Sequence, residues 1–415
     1  MKTQTSQSSP AQPVAANGHK RALSIIFFVM LMDVIGLSII FPVAPFIVGR
    51  YSNDALMVTM LTVIYAAAQF FAAPWLGKLS DRVGRRPVLL ASVFGSAIGY
   101  IILGVGGALW ILFLSRLIDG ISGGNLSTAS AYIADISTPE ERPKNFALIG
   151  MAFGFGFILG PALGGVLSKI SIDAPAYAAA LLAGVSVIAI YFLLPESLAK
   201  EHREHKPIRL SDLNPMGAIG MIARKPGMGI LLLVACLFNL AFSGVNAVVT
   251  IYIVRKFTAT PWQIGILLVT AGITMAVMQT LLVAKTVARF GNKRMAIVSL
   301  VGQAIFTCLT VFLPAFWLLY PLNILNAGVR GFIWGTLGTL SANLVQPREQ
   351  GTLAGVNTAL ASLMSVFGPL GAGAIYDYVH PDSPFWIGTL VLVAAALLML
   401  SVKQSTPVVA QAGGY

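Results

Sequence analysis

The segment GKLSDRVGRRPVLL, residues 77–90, is a short charged stretch between two long apolar blocks. A block of about 20 apolar residues can cross the ~30 Å hydrocarbon core of a bilayer as a helix. Such blocks recur along the 415 residues of the chain, of which 57% are hydrophobic and only 10% are charged. Soluble domains carry about 25% charged residues. The sequence therefore predicts an all-α integral membrane protein.

Twelve apolar blocks are present, and we expect each to form one transmembrane helix. A polar interval containing KEHREHKPIRLSDLNP separates six blocks from six. The predicted parts are a disordered cytoplasmic tail (1–21), an N-terminal six-helix domain (22–195), a cytoplasmic linker (196–225), a C-terminal six-helix domain (226–404) and a C-terminal tail (405–415). The predicted spans are about 22–48, 57–80, 86–107, 109–135, 144–168, 175–195, 226–254, 262–286, 293–313, 316–345, 351–377 and 384–403.

The distribution of Lys and Arg predicts the orientation, because cytoplasmic loops carry an excess of both. The chain has 27 Lys and Arg, of which two lie within spans and 21 lie on the membrane side of the chain ends. The other side carries only four, namely Arg50, Lys169, Arg255 and Lys256. We therefore expect a multi-pass plasma (inner) membrane protein with both termini in the cytoplasm. The net charge of +12 is explained by topology and by contact with lipid headgroups, not by nucleic-acid binding.

The two halves of the sequence resemble a repeat. Gly160-Pro161 and Gly368-Pro369 are 208 residues apart, and the same or nearly the same offset relates Gly120 to Gly328, Pro139 to Pro347 and Gly84 to Gly291. Parallel six-helix repeats are one architecture of secondary transporters, with the substrate bound near the midplane between the halves. The predicted fold is therefore twelve transmembrane helices in two six-helix pseudo-repeats.

Two acids, Asp33 and Asp119, lie well inside predicted spans. A charge there costs several kcal/mol unless it is paired or faces water. Desolvation favours a neutral carboxyl and a nearby cation favours the charged form, so such an acid can take up a proton in one conformation and release it in another. Arg116 stays protonated and lies within reach of Asp119 on the same helix. We therefore favour Asp33 as the proton-coupling or cationic-substrate site; a purely structural hydrogen bond, or titration of Asp119, are the alternatives.

The second half has no acid inside a predicted span. Asn323, Asn326 and Arg330 share one helix face, with Trp334 one turn further, and form the better candidate for substrate contact, where Arg330 can attract an anionic or polar group. Any one of these polar groups can instead serve only as a hydrogen bond between helices. The full set of candidate cavity residues is Gln69, Asn125, Asn239, Asn246, Gln279, Asn323, Asn326, Arg330, Trp334 and Asn357.

The charged segment that opened this section carries the pattern Gly-x-x-x-Asp-Arg-x-Gly-Arg-Arg, and in this it resembles the signature loop of the major facilitator superfamily. DVIGLSIIFPVAPFI (33–47), LSRLIDGISGGNLSTASAYIADISTPEER (114–142) and GFGFILGPALGG (154–165) resemble the first, fourth and fifth helices of its twelve-helix drug–proton antiporters. Together these motifs are most similar to the tetracycline-efflux branch. The resemblance is strong over 22–195 and weaker over 226–403, where Ala288 stands in place of an acid equivalent to Asp81.

The resemblance implies roles for particular residues. Asp33 matches the first-helix acid of the tetracycline-efflux pattern, whereas Asp119 departs in charge from the Gln that many members carry. Asp135 matches an acid that pairs with the loop arginines, and the Gly-Pro helix matches the element that favours antiport over leak, although small residues also allow tight packing alone. The implied cytoplasmic gate is Gly77, Asp81, Arg82, Arg85, Arg86 and Asp135, and the implied antiporter motif is Gly154, Gly160, Pro161, Gly164 and Gly165.

The favoured function is therefore proton-coupled export of a lipophilic drug such as a tetracycline by alternating access, which would give multidrug efflux and antibiotic resistance. Export or flipping of an amphipathic lipid, sugar conjugate or metabolite is the alternative. A receptor or scaffold gains nothing from the cost of intramembrane charges, and no nucleophile or metal constellation suggests an enzyme. No ATP-binding Gly-rich loop occurs, so an ion gradient must supply the energy. We expect no cofactor and no metal, and a monomer that exchanges a small-molecule substrate for protons.

Overall fold

A computed structural model of the protein describes residues 16–138, 140–203, 216–346 and 349–402. Regular structure in these ranges is helical throughout, because in hydrocarbon a helix satisfies its own backbone N–H and C=O groups. Two 3-10 turns (Lys200–His202 and Phe316–Leu318) and a π-helix (Met278–Val283, between α11 and α12) accompany the α-helices. The helices are α1 Ala16–Ser38, α2 Ala44–Val48, α3 Ala55–Val83, α4 Arg85–Val105, α5 Leu109–Ser122, α6 Asn125–Asp135, α7 Arg142–Leu167, α8 Ala174–Leu193, α9 Met216–Ala223, α10 Met228–Phe257, α11 Pro261–Val277, α12 Ala284–Phe290, α13 Asn292–Phe312, α14 Leu319–Ala342, α15 Gln350–Tyr378 and α16 Ser383–Ser401.

The helices follow the predicted spans closely and confirm the predicted fold class. Within the described ranges, ten helices are long and apolar enough to cross a bilayer, with α11 to α12 counted as one. The fourth predicted span is divided between α5 and α6, and the tenth, α14, is made less apolar by Asn323, Asn326 and Arg330. The predicted disordered tail is wrong for residues 16–21, where α1 has already begun. Residues 1–15 and the predicted tail 405–415 lie outside the described ranges.

The predicted linker contains a short helix, α9, that the sequence reasoning missed. Its Ile222 is fully buried in one cluster with Met228 and Leu353, so α9 packs on the start of α10 and the start of α15. Immediately after α9, Lys225 forms an ion pair with Glu349 at the start of α15. The hydrogen bond from Lys225 lowers the pKa of the Glu349 carboxyl below its usual value. This part of the linker is therefore tied to the second half of the molecule.

The break between α5 and α6 results from close packing against α3. A Cβ atom on Gly124 would lie 2.9 Å from the Cα of Ala73, and one on Gly120 would lie 3.0 Å from the Cα of Tyr65. The chain can therefore approach α3 here only as glycine. Gln69 on α3 donates a hydrogen bond of 2.8 Å from Nε2 to the carbonyl oxygen of Gly123, which the interrupted helix leaves without a helical partner.

The helices form two groups, a first half (α1–α8) and a second half (α10–α16). In the first half α1 packs on α7 and α8, and α4 packs on α5 and α8. In the second half α10 packs on α15 and α16, and α13 packs on α14 and α16. The main contacts between the halves join α3 to α15 and α7 to α11. We call the membrane side that carries Gly84 the basic face, and the side that carries residues 49–54 the opposite face.

The glycine-rich helix α7 packs closely on both halves. A Cβ on Gly160 would lie 3.0 Å from the carbonyl oxygen of Ile35 in α1, and one on Gly165 would lie 3.3 Å from the Cα of Trp262 at the start of α11. Gly154, nearer the basic face, has no described atom within 4 Å of its Cβ position, so the expectation of tight packing is wrong for this residue.

The halves meet at the opposite face and separate towards the basic face. At the opposite face Gly373 of α15 approaches Leu56 of α3, and Lys169 lies over the ring of Trp262, 3.9 Å from its centroid. Towards the basic face, the Cβ positions of Gly150, Gly351 and Gly355 have no described atom within 4 Å. The structure is therefore closed at the opposite face and open at the basic face.

An acid from the second half caps a helix of the first half at the closed face. The two carboxylate oxygens of Asp377, near the end of α15, accept hydrogen bonds from the backbone N–H groups of Ala55 (2.9 Å) and Leu56 (2.7 Å) at the start of α3. Arg255 lies 4.0 Å from the same carboxylate. A carboxylate at a helix N-terminus is favourable both as a hydrogen-bond acceptor and through the helix dipole. We call this arrangement the Asp377 cap.

We predict that Asp377→Asn shifts the molecule towards states that are closed at the basic face. Asparagine removes the charge and one acceptor, a loss of about 1–3 kcal/mol, which is enough to change a two-state population roughly tenfold. Spin labels at Val83→Cys and Gly351→Cys, in a background where Cys236 and Cys308 are serine, report the distance between the basic ends of α3 and α15. We expect a larger short-distance population in Asp377→Asn.

Asp382→Asn is the matched control, because Asp382 lies near the same face but accepts a hydrogen bond from Tyr252 of its own half. Its label distances should match those of the parent. An Asp377→Asn distance distribution identical to the parent would contradict the importance of the cap.

Candidate transport site in the membrane interior

A cluster of polar side chains lies inside the first half, where five helices meet. Each helix contributes from a position that faces inward, and the break before α6 brings its first residue into the same region. The sequence reasoning anticipated Asp33, Gln69, Arg116, Asp119 and Asn125, and the structure brings these five together. It missed two tyrosines, although a phenol in the middle of an apolar span is itself a signal. The cluster consists of Asp33 (α1), Tyr65 and Gln69 (α3), Tyr100 (α4), Arg116 and Asp119 (α5) and Asn125 (α6).

Arg116 and Asp119 form a buried ion pair within α5. Nη1 of Arg116 lies 3.0 Å from Oδ2 of Asp119, and their side chains are 5% and 2% exposed. The Arg116 guanidinium also lies over the ring of Tyr100, 5.3 Å from its centroid. Nε and Nη2 of Arg116 find no acceptor among the described residues. Arg116 therefore neutralises Asp119 and keeps two donors available.

Asp33 faces this pair from α1 without a cation of its own. The described residues include no ion-pair partner for Asp33. Its carboxylate interacts instead with the side-chain amide of Asn125, which forms a hydrogen bond with it, and with the like charge of Asp119, which repels it. Tyr100 lies close by, with its ring 3.2 Å from the Cβ position of Gly36, one turn along α1. Asp33 is half-buried, whereas Asp119 is fully buried.

The cluster contains one acid more than it has cations. With both acids ionised, the two carboxylates and Arg116 sum to one net negative charge, and a single added proton makes the cluster neutral. Like charges close together and low solvation both favour the neutral form of one carboxyl. Arg116 already neutralises Asp119. The unbalanced negative charge is therefore that of Asp33, and protonation of this carboxyl removes it.

A second polar region is a cavity of about 110 Å³ inside the second half. Four of the predicted residues, Asn246, Asn323, Asn326 and Arg330, line it together with Gln303, which the sequence reasoning missed. The Nδ2 group of Asn323 donates to the carbonyl oxygen of Leu267 at 2.7 Å. The remaining predicted cavity residues lie elsewhere.

Those remaining residues have separate local environments. Asn239 donates to Ala235 of its own helix at 2.8 Å, and Gln279 is exposed on the π-helix. Trp334 packs edge-on against Phe238 with ring centroids 5.4 Å apart. Asn357 is half-buried on α15. The predicted set therefore does not form one continuous cavity in this conformation, because it is divided between the two halves, which are apart at the basic face.

An ion-pair cluster at the basic face joins α3, α4 and α6. Arg85 bonds Asp81 one turn earlier in the chain, and its Nε lies 3.0 Å from Oδ2 of Asp135. Arg86 instead donates to the backbone carbonyls of Ile190 and Tyr191. The structure thus places Asp81, Arg85 and Asp135 together, as the resemblance implied, and in this conformation the cluster lies within the first half.

Glu196 completes this cluster and was not anticipated. Its Oε1 accepts a 2.8 Å hydrogen bond from the backbone N–H of Arg85, at the start of α4. The turn that brings the chain to this point has φ = +119° at Gly84, a conformation that other residues rarely adopt. Gly77 is not required by space in this conformation, because a Cβ there would lie 3.5 Å from Oγ of Ser127 on α6, an ordinary van der Waals contact.

Apolar helices that enclose charged groups and open at one face define a membrane transporter. The model of the Major Facilitator Superfamily matches residues 26–256 and again 231–413, so this chain belongs to that superfamily. It is 34% identical over 382 residues to the class C tetracycline resistance protein of Escherichia coli, covering 91% of this chain and 95% of that protein. It is 27% identical over 389 residues to multidrug resistance protein 2 of Bacillus subtilis (strain 168), covering 90% and 94%. The resemblance to the tetracycline-efflux branch is thereby confirmed.

Solved structures of transporters share the fold. The nucleoside transporter NupG matches with a TM-score of 0.75 at 15% identity, over 94% of this chain and 100% of that one. The human organic anion transporter MFSD10 (TETRAN) matches with a TM-score of 0.69 at 23% identity, over 92% and 99%. Such identities show the fold alone. The relatives are transporters and not enzymes, which agrees with the expectation for this chain.

We predict that Arg116→Met lowers the free energy of unfolding by about 3–5 kcal/mol, because it leaves Asp119 buried without its cation. The double variant Arg116→Met/Asp119→Leu should be close to the parent, since no uncompensated charge remains. Unfolding in mixed detergent micelles, followed by circular dichroism, measures both effects.

The matched control is Arg50→Met, which breaks the exposed pair between Arg50 and Asp173 and should cost only about 0–1 kcal/mol. A double variant as unstable as Arg116→Met would show that the pair does more than neutralise charge.

Proposed function

We propose that this protein is a proton-coupled exporter of lipophilic drug-like molecules, tetracyclines included. Its similarity to tetracycline resistance proteins along most of the chain supports the substrate class. The observation that carries the coupling is the charge arrangement of Asp33, Asp119 and Arg116, which has one acid more than it has cations. An exporter driven by the proton gradient needs one such group that can be charged in one state and neutral in another.

The proposed orientation places the basic face in the cytoplasm of the cell, at the inner membrane. The excess of Lys and Arg on this side supports the assignment, since positive loops stay on the cytoplasmic side. The structure would then be the cytoplasm-open state, in which substrate enters between the halves. The units that move would be residues 22–195 and 226–404 of a monomer, and their rocking would expose Asp33 to each side in turn.

The proposed cycle links the two sites through the charge on Asp33. In the cytoplasm-open state Asp33 releases its proton and substrate binds between the halves. After the opposite face opens, substrate leaves and Asp33 takes up a proton from outside. Protonation removes the net charge of the cluster, which favours closure around it because a neutral group is cheaper to desolvate.

The basic-face cluster would act as a latch in the outward-open state. Asp81 lies near the end of α3, and α15 begins near the same face, just as Asp377 lies near the end of α15 and α3 begins near the opposite face. When the cytoplasmic side closes, Asp81 would approach the start of α15 and replace the Asp377 cap with an equivalent contact at the other end of the same helix pair.

We predict that Asp33→Asn abolishes uphill tetracycline export while the protein still folds, because the amide has nearly the same shape but cannot titrate. Everted membrane vesicles with an imposed pH gradient measure uptake of [³H]tetracycline. The matched control is Asp54→Asn, since Asp54 is an exposed acid just before α3 whose hydrogen-bond partner among the described residues is its neighbour Ser52. Uptake and pH dependence equal to the parent in Asp33→Asn would sink the assignment and favour Asp119.

A second prediction concerns the latch. Asp81→Asn should favour cytoplasm-open states, and adding it to Asp377→Asn should restore the parental distance distribution between labels at positions 83 and 351. High salt should mimic Asp81→Asn in part, because the Debye length falls to ~3 Å at 1 M. Glu201→Gln is the control for loss of an exposed acid at this face. Identical distributions with and without Asp81, at both salt levels, would reduce this loop to a topology signal.

A further inference from the structure

Arg330 is a cation in the middle of α14, and it forms no ion pair with an acid among the described residues. It lies twelve residues from the end of the helix at Ala342, a distance of about 18 Å along the axis. Its side chain is therefore too short to reach the membrane surface. An arginine keeps its charge in proteins, so the charge cannot be lost by deprotonation.

The acids of the second half are all engaged elsewhere. In the described part of this half, from residue 216 to 402, the acids are Glu349, Asp377 and Asp382, and each lies at a helix end. Glu349 pairs with Lys225, Asp377 caps α3, and Asp382 accepts a hydrogen bond from Tyr252. The Arg330 charge thus stands apart from all of them, in a cavity that opens among α10, α11, α13 and α14.

Two other polar atoms of this cavity, both amide oxygens, also lack partners among the described residues. Gln303 is 6% exposed, and its Oε1 has no donor among the described residues; the same is true of Oδ1 of Asn326. Turning either amide by 180° exchanges its oxygen and nitrogen with almost no change in shape. Either amide can therefore present N–H donors to a ligand that Arg330 binds.

Aromatic rings adjoin the cation and give the site an apolar side. The Arg330 guanidinium lies over Phe242, 5.1 Å from the ring centroid, and Phe242 stacks on Phe238 at 5.9 Å. Trp334 packs on the other edge of Phe238 and is 43% exposed. A guanidinium that stacks on an aromatic ring still presents the N–H groups at its edge. Their forked geometry matches the two oxygens of a carboxylate, so these groups stay available to bind one.

We propose that this cavity binds the anionic group of an amphipathic organic anion, and that the transported substrate carries such a group. The inference rests on the proposed export function and specifies its substrate. The cavity of about 110 Å³ fits a carboxylate, whereas pockets that hold whole drug-sized ligands have volumes of roughly 300–1,000 Å³. The apolar body of the substrate would therefore lie outside the cavity, against the aromatic rings and the open space between the halves.

The test uses three fluorescent probes with one apolar body: 1-pyrenebutyrate, 1-pyrenebutanol and 1-pyrenebutylammonium. Energy transfer from tryptophan to pyrene measures binding to the purified full-length protein and requires no transport. We expect the carboxylate to bind at least about tenfold more tightly than the alcohol, because the alcohol lacks a hydrogen-bonded charge and the loss of such an interaction generally weakens binding by at least this factor. Arg330→Gln should abolish this preference, Arg330→Lys should retain part of it, and Arg294→Gln, at the basic end of α13, should leave it intact.

A stability measurement separates binding from a structural role. Without ligand, Arg330→Met should have a melting temperature equal to or above that of the parent, because it removes an uncompensated charge; 1-pyrenebutyrate should raise the melting temperature of the parent and not of the variant. A structural arginine would give the reverse result without ligand. Equal affinity for carboxylate and alcohol in the parent, an unchanged preference in Arg330→Gln, or displacement by chloride without a carboxylate preference would each overturn the proposal.

Failure of the export function gives a different result. In that case vesicles of the parent show no uptake that depends on the pH gradient, for tetracycline or for any pyrene probe, while the binding preference and its dependence on Arg330 remain. Loss of the preference with gradient-driven tetracycline uptake intact would reject the anion site and leave the export function standing.

Discussion

The low dielectric of the bilayer makes every ionised side chain in its interior costly unless it is paired, solvated or discharged. Three sets of charged side chains in this protein are subject to that constraint. Arg116 and Asp119 neutralise each other at 3.0 Å. Asp33 has no cation of its own, and Arg330 has no acid near it, among the described residues. Under the proposed function, the charge of the pair is balanced internally, that of Asp33 by a proton and that of Arg330 by a ligand. The three groups would then have different parts in one transport cycle.

The fold separates these sites and makes their separation useful. Asp33 and Asp119 lie in the first half and Arg330 lies in the second, so under the proposed function a substrate between the halves would experience the fields of both sites at once. Helix packing through glycine brings the backbones close at the opposite face, where Gly160 and Gly165 of α7 contact α1 and α11. Polar capping by Asp377 adds a contact that can break without exposing much apolar surface. A closed face built in this way can open at low cost.

Much of this arrangement could be predicted from the sequence, and the limits have physical causes. Apolar blocks fix the spans because hydrocarbon permits few alternatives, and rare intramembrane charges identify Asp33, Arg116 and Asp119. The break at Gly123–Gly124 could not be read from periodicity, because it depends on the approach of α3. Tyr65, Tyr100 and Gln303 are polar groups in apolar spans, but their places in the cluster and the cavity depend on which neighbouring helices their faces meet, and the sequence alone does not show this. The division of the predicted cavity residues depends on the conformational state, which a sequence does not encode.

The pairing of α3 with α15 has a consequence for the geometry of switching. Each helix has 29 residues, so each is a rod of about 44 Å. If one rod pivots about its midpoint by about 10°, its two ends travel nearly 4 Å in opposite directions over this length. That travel exceeds the 2.9 Å length of the hydrogen bond between Ala55 and Asp377. A rotation of this size in either helix would therefore break the contact at one end of the pair while bringing the two helices together at the other end.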